Sequence, residues 1–375
     1  MVGKRKTQIA LLSAIFLVCN LLLLHTAMDS LIFADPETSL WLSCPEPGST
    51  FVTADVGGRL GNIVWTYLSV VAAARRHNLR PVIDQRTLDV LSTDAFERNF
   101  LRVPSVEWLE RRCGLKGALM AAVRNQSERI ASRQDFFSLL EEFPQDQIRV
   151  LKYKIYVTDS ELTTTFWNEL KRELQLKTQL QNKADSELRR IGEEFQARTG
   201  IQAAHVEFVG IHVRRTDYGK HLSLILPGSV EAGSEFFHAA IEWLKKRLWK
   251  PLVFVVVSDD PAWTQQYIVG NRSEIFLAGS SNIDAPGEDL AILAACQHSI
   301  FAYGTFGLTA AFLASRPGGH TVLFDPQNGG VTKEMEFGAN LPGWHIMDQH
   351  GNLTYQNTPI SFHYFLHPHK ARKFD

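Results

Sequence analysis

The 375-residue chain carries 39 Lys and Arg against 40 Asp and Glu, a formal net charge of -1 with histidine neutral. That balance excludes a chain-wide basic surface for nucleic acid and a strongly acidic character, so any anion site must be local. The length exceeds what one core usually organises, and two domains are expected.

Lys4, Arg5 and Lys6 precede an apolar run over 9–28, interrupted by Ser13, Asn20, His25 and Thr26. About 20 residues at a rise of 1.5 Å just cross a hydrocarbon layer of about 30 Å. Basic residues stay cytoplasmic, so 1–8 reads as a cytoplasmic tail, 9–28 as a transmembrane signal anchor, and the remainder as lying across the membrane. A cleaved signal peptide is the rival, but His25, Thr26 and Met28 fit poorly around Ala27 as a cleavage site. A span this short suits thin early secretory membranes. Residues 29–49, with Pro36, Pro45, Pro47 and Gly48, read as a stem. The cysteines, Cys19, Cys44, Cys113 and Cys296, show no metal spacing. With Cys19 in the span, one bridge at most remains, and Cys296 reads as buried and inert. Sequons at Asn125, Asn271 and Asn352 suit a lumenal chain.

A brief strand over 50–54 leads into Asp55-Val56-Gly57-Gly58-Arg59-Leu60-Gly61-Asn62, an apolar helix over 63–77 and a strand over 81–84. This order is a βαβ unit. Its glycines either serve the turn alone or bring backbone close to an anion at the helix N-terminus, with Arg59 projecting from the loop. Residues 88–159 mix short helices and polar loops. The segment 165–198 reads as one long amphipathic helix, with Phe166, Leu170, Leu174, Leu180, Leu188, Ile191 and Phe195 mostly three or four apart.

The stretch 205–221 is the most informative. Its strand, 206–213, delivers Arg214, Arg215, Asp217 and Tyr218 off its carboxyl end, where open α/β sheets bind ligands. Two guanidinium forks suit phosphate or carboxylate. An arginine capped by Asp217 is the bland alternative. His212, on the strand where an aliphatic would be expected, favours an anionic nucleotide instead. A loop over 221–233 and a helix over 234–250 follow. The pure strand formers of 252–257 end in Ser258-Asp259-Asp260-Pro261, as a central parallel strand would. A helical stretch over 263–270, a strand over 275–278 and a helix opened by Gly287-Glu288-Asp289 come next, the acids favourable in its first turn. A strand over 299–303 turns at Gly304-Thr305-Phe306-Gly307 into a helix over 308–315, and 321–324 reads as the final strand. Four or five parallel strands alternating with helices predict a Rossmann-like domain.

Three strand ends, 212–217, 258–260 and 304–307, can face one crevice. The last offers backbone N–H groups, a hydroxyl and a helix dipole to a diphosphate. Asp289 either accepts from the N–H edge of a guanine or supplies charge to a helix start. Asp259-Asp260 reads as a cap for the next helix. His363 and His367 stand i, i+4, but Pro368 follows at once and no glutamate lies between them, so no metal site is expected. Neither Gly-x-Ser-x-Gly nor a Walker lysine occurs, which disfavours serine hydrolases and P-loop enzymes.

As a set, Gly58-Arg59-Leu60-Gly61-Asn62, Val209-Gly210-Ile211-His212-Val213-Arg214-Arg215-Thr216-Asp217-Tyr218, Val257-Ser258-Asp259, 289–313 with its Gly304-Thr305-Phe306-Gly307, and Leu341-Pro342-Gly343-Trp344 are recognisable. The chain resembles the galactoside α-1,2-fucosyltransferases of glycosyltransferase family 11, over nearly all of its length beyond the anchor. The resemblance implies an α/β, GT-B-like fold: two Rossmann-like domains facing a cleft, an acceptor-side one over 50–200 and a GDP-fucose-binding one over 201–375, after one transmembrane helix. It implies inverting transfer of L-fucose from GDP-β-L-fucose to the 2-hydroxyl of a galactose-terminated glycan, without metal or other cofactor, by a type II protein of the Golgi membrane. Arg214 would bind the β-phosphate, His212 and Asp289 would hold the guanosine, and Thr305, Phe306 and Gly307 would cradle the diphosphate. Gly58, Arg59, Asn62, Arg215 and Ser258 complete the expected donor contacts. Asp55 and Asp217 are the candidate bases, Asp217 being expected rather to orient Arg215. The chain departs from the family at Ile63, Gln297 and Thr309, which bears on the acceptor more than the donor. No nucleic-acid partner is expected, and a homodimer stays open. The alternatives are an α-1,6- or protein O-fucosyltransferase, and a non-catalytic GDP-sugar-binding relative.

Overall fold

The computed structural model describes residues 36–125, 129–130, 148–154, 156–280, 285–326 and 332–355. The segment 9–28, Cys19, His363 and His367 lie outside them. No described helix is long and apolar enough to cross a membrane. The chain divides into two compact units, Met1–Pro45 and Glu46–Asp375. The first shows one short helix, Pro36–Leu42.

The second unit holds two sheets. In the smaller, β1 (Thr50–Ala54), β2 (Arg80–Pro81), β3 (Arg129–Ile130) and β4 (Arg149–Tyr153) lie in the order β2-β1-β4-β3, all parallel. Strand β1 pairs with β4 along its whole length, and Phe51 and Val52 are fully buried. The β1–β2 crossover is the helix Leu60–His77. It is apolar on nearly every face and buries 14 of its 18 residues, as a helix enclosed on all sides must. Asn78 ends it in the left-handed conformation, at φ 51°, its N–H returning to Ala74, while Arg75, Arg76 and His77 complement the dipole in the last turn.

The larger sheet contains β5 (Glu207–Val213), β6 (Leu252–Ser258), β7 (Ile275–Leu277), β8 (His298–Phe301), β9 (Thr321–Phe324), β10 (Trp344–Met347) and β11 (Leu353–Tyr355). From one edge the order is β7-β6-β5-β8-β9-β10-β11, parallel except for β11. Its first six strands follow the doubly wound order, and the winding reverses between β5 and β8. Register sets Val213 opposite Ser258 and His212 opposite Phe301, so the carboxyl ends of the three strands stand side by side. All seven residues of β6 are buried, which explains its unbroken apolar run.

An aromatic cluster joins the two halves of this unit. Trp65 of the first meets Phe312 edge-on at 5.6 Å and Phe337 at 4.8 Å, and Trp167 meets Phe312 at 4.4 Å and Trp344 at 5.9 Å. Such pairs each add about 0.5–1.5 kcal/mol beyond the area they bury.

Three expectations need correction. The segment 165–198 is two helices, Trp167–Glu173 and Thr178–Thr199. The chain leaves its helical course because Glu173 is drawn inward: its buried carboxylate accepts from Tyr67 at 3.3 Å and Arg75 at 3.2 Å, with Arg102 at 3.9 Å. The turn that follows is pinned by Glu97 N–H donating to Gln175 and Lys177 N–H to Ala95. Residues expected to form a loop after His221 belong in part to the helix Tyr218–Ile225, whose Tyr218 and Leu222, one turn apart, are buried. Finally, β9 is not the last strand. Gly343, at φ +79°, turns the chain into β10, which lies parallel to β9 with Trp344 opposite Thr321.

Candidate active site

The reversal between β5 and β8 builds a crevice from backbone upward. At its floor, His212 is buried, its ring 5.2 Å from that of Phe306. Burial, reinforced by the neighbouring Arg214 charge, pushes its pKa down to about 4, so the imidazole is neutral at physiological pH. Among the described residues, its buried Nδ1 has no hydrogen-bond partner. A Cβ on Gly307 would lie 2.7 Å from that nitrogen, so the glycine is what admits the ring.

Beyond β8, Gly304 adopts φ +90°, a conformation that favours glycine, and the helix Thr305–Ala314 begins at once. No side chain caps this helix. The N–H groups of Thr305, Phe306 and Gly307 therefore form an uncapped positive terminus suited to an anion. The Gly304 N–H itself donates to buried Glu334 at 3.1 Å.

The glycine loop of the first half docks on this turn. Thr305 Oγ1 donates to Asn62 Oδ1 at 2.8 Å. A Cβ on Gly61 would stand 2.5 Å from the Phe306 nitrogen and 2.6 Å from the Thr305 carbonyl carbon. Gly58, at φ +81°, lies against Asn62 and Tyr156. Gly58, Arg59, Asn62, Thr305, Phe306, Gly307, His212 and Arg214 are thus brought together from two sheets.

The arginines diverge, and one expectation is corrected here. Arg214 Nη2 donates to Asp217 Oδ1 at 2.6 Å, and its guanidinium lies 5.7 Å from the Tyr218 ring centroid. Asp217 therefore holds Arg214 and not Arg215, because a helical turn after β5 returns it to the residue three before it. Arg215 leaves the crevice, stacking 3.9 Å over Trp263 with Glu231 at 3.8 Å. Asp259 and Asp260 also divide. Asp260 caps the next helix by accepting from Trp263 N–H at 3.1 Å, whereas Asp259 accepts from Arg215 N–H and Thr216 Oγ1, both at 2.8 Å. Ser258 is buried, and its Oγ accepts from Asp260 N–H at 2.9 Å.

Asp289 is buried in the first turns of the helix Pro286–Ala295, and burial raises its pKa. Its Oδ1 accepts from Ser280 N–H at 2.7 Å, an approach that Gly279 permits, since a Cβ there would come within 2.5 Å. Asp55 is placed apart. It pairs with Lys152 at 2.6 Å and lines a cavity of about 550 Å³ at the carboxyl ends of β1 and β4, with Thr53, Asp84, Val106 and Lys154 among its walls. No contact among the described residues joins it to Arg214. Glu334 beside the crevice was not anticipated, and Asp259, expected at this strand end as a helix cap, instead holds the strand end of Arg215 and Thr216. Glu334 carries no local signal, whereas Asp259 stands in the strand-end position that marked Ser258.

A profile of glycosyl transferase family 11 matches residues 129–347. The chain is also 30% identical to galactoside α-(1,2)-fucosyltransferase 1 of Saimiri boliviensis boliviensis, over 76% of this chain and 71% of that one. The chain belongs to glycosyl transferase family 11. Within that family it is 34% identical to the galactoside 2-α-L-fucosyltransferase SEC1 of Bos taurus over 36% of this chain, and 38% identical to the bovine galactoside α-(1,2)-fucosyltransferase 2 over 31%. These matches span 39% and 32% of the two bovine proteins. Among solved structures, the family 11 chain is similar to the fucosyltransferase NodZ from Bradyrhizobium, at 15% identity and a TM-score of 0.42, covering 71% of this chain and 93% of that one. It is similar also to a mutant of Arabidopsis thaliana FUT1 in complex with GDP, at 17% identity and a TM-score of 0.45, covering 78% and 74%.

Proposed function

We propose that this family 11 protein transfers L-fucose from GDP-β-L-fucose to the 2-hydroxyl of a galactoside, with inversion and without a metal. The observation that carries the reading is the placement of Arg214 beside the uncapped N-terminus of the helix Thr305–Ala314, at the point where the larger sheet reverses its winding. In the reaction, the bond from the fucosyl anomeric carbon to the β-phosphate oxygen breaks and its electron pair stays on GDP. The acceptor hydroxyl forms the new bond from the opposite face and gives up its proton. Negative charge grows on the β-phosphate, where Arg214 and the amides of Thr305, Phe306 and Gly307 would meet it already oriented. Neutral His212 and the unshared oxygen of Asp289 would hold the guanosine, and Arg59 and Asn62 would close the site from the first half. Gly58 and Ser258 shape the walls, and Arg215 positions the strand end through Asp259 and Trp263. Asp55, paired with Lys152, and Asp217, paired with Arg214, would each have to release a cation before taking the acceptor's proton.

The segment 9–28 would anchor the protein as a single-pass type II protein of the Golgi membrane, in a GT-B arrangement with the catalytic unit lumenal. The test is transfer from GDP-fucose to lactose and to type 1 and type 2 chains, set against N-glycan core and folded protein repeats as acceptors. Arg214→Ala should lower turnover by on the order of 10²–10³-fold with an unchanged circular dichroism spectrum. Near-normal turnover in that variant refutes the role given to Arg214. Nucleotide binding without transfer or donor hydrolysis would leave a non-catalytic GDP-sugar-binding protein.

A further inference from the structure

Asp217 occupies the N-cap position of the helix Tyr218–Ile225, where an aspartate ordinarily accepts from an amide of the first turn, yet its side chain makes no such bond. It faces two guanidinium groups instead. Oδ1 accepts from Arg214 Nη2 at 2.6 Å, and Oδ2 lies 3.6 Å from Nη2 of Arg59, which comes from the glycine loop of the other half. Arg214 Cδ is 3.8 Å from where a Cβ on Gly304 would stand, so the side chain that Asp217 holds runs past the start of the uncapped Thr305–Ala314 helix. An anionic group shared by two guanidinium groups, one of them beside a helix N-terminus, resembles the arrangement expected of a bound diphosphate.

We propose that Asp217 is an internal stand-in for the donor's diphosphate: it holds Arg59 and Arg214 together in the empty protein and yields both when a nucleoside diphosphate binds. The inference rests on the nucleotide reading of this crevice. Magnitude decides that the exchange is feasible. Asp217 and Arg59 are more than half exposed, at 53% and 59% of their side-chain surface, so that pair contributes little, whereas Arg214 keeps only 20% and is the stronger partner a ligand must win. A diphosphate brings more charge and more acceptor oxygens to the same two forks, and such charge-assisted bonds are the stronger ones. Asp217 thereby tunes affinity: it keeps two like charges from spreading apart while competing with the ligand for them.

The sign of one measurement separates this role from a merely orienting one. Calorimetric titration of wild type and Asp217→Asn with GDP should show the variant binding about two- to fivefold more tightly, the competitor having lost its charge. With GMP, which lacks the β-phosphate, the gain should vanish. Arg59→Ala should weaken GDP binding while leaving GMP binding unchanged. GDP binding that Asp217→Asn weakens or leaves as it was overturns the inference alone, since an orienting carboxylate would act in that direction. Wild-type protein that binds no GDP overturns the nucleotide reading as well.

Discussion

Gly61→Ala addresses the joint on which the candidate site depends. Gly61 lies in the first turn of the helix Leu60–His77, where alanine would on propensity alone be favoured by up to about 1 kcal/mol. Against that gain stands the added methyl, 2.5 Å from the Phe306 nitrogen and 2.9 Å from its Cα. Both are backbone atoms of the turn, so no side chain can swing aside. Overpacking of this kind costs about 1–3 kcal/mol. Displacing the loop also strains the Thr305–Asn62 hydrogen bond, worth about 1 kcal/mol net. The balance is a destabilisation of about 1–3 kcal/mol, read as a lower urea midpoint with an unchanged slope. GDP affinity should fall on the order of tenfold, because the amides that shift are those proposed to meet the diphosphate. Gly192→Ala is the control: its Cβ would lie 3.2 Å from the Ala203 methyl, and stability should hardly change. A Gly61→Ala protein with the wild-type midpoint and wild-type GDP affinity would refute the close docking of loop on turn.

Two further outcomes are expected. Glu336, half-buried and accepting from Ser160, has its pKa raised by desolvation from 4.5 to about 7. Between those values the folded protein keeps a proton that the unfolded chain has lost, so stability falls as pH rises from about 4.5 to 7 and is level above. Glu336→Gln should therefore match wild type near pH 5 and exceed it near pH 8, by on the order of 2–3 kcal/mol, in urea unfolding at the two pH values; equal stability at both would count against the desolvated acid. Thr305→Val should cost about 1 kcal/mol in the same assay by leaving Asn62 Oδ1 without its donor, and Asn62→Ala in that background should cost far less than in wild type.

The larger sheet was legible because its strands are enclosed on both faces. Val253 to Val257 can be little else than a central strand, and the polar residues just beyond such strands mark the crevice. Strand β4, Arg149–Tyr153, escaped notice because its short run, with Val150 and Leu151 adjacent between Arg149 and Lys152, shows no strand alternation, although it pairs with β1 along five residues. The break before Thr178 was invisible for a different reason. It is imposed by Arg75 and Tyr67, about a hundred residues earlier, drawing Glu173 inward. Sequence separation also hid Glu334, 30 residues beyond the glycine whose N–H it accepts. Arg214 and Asp217 were both singled out, but which arginine the carboxylate serves depends on the course of the turn between β5 and the helix Tyr218–Ile225, which residue types alone do not fix.

The helix Thr305–Ala314 bears on both ends of the problem. Its first residue touches the loop of the other half beside the proposed anion site, and two turns later Phe312 is wedged between Trp65 and Trp167. A rigid rod fixed at both ends cannot tilt at one without disturbing the other. Repacking at Trp65, remote from any ligand atom, should therefore be felt as altered nucleotide affinity, and a bound nucleotide should tighten the seam between the halves.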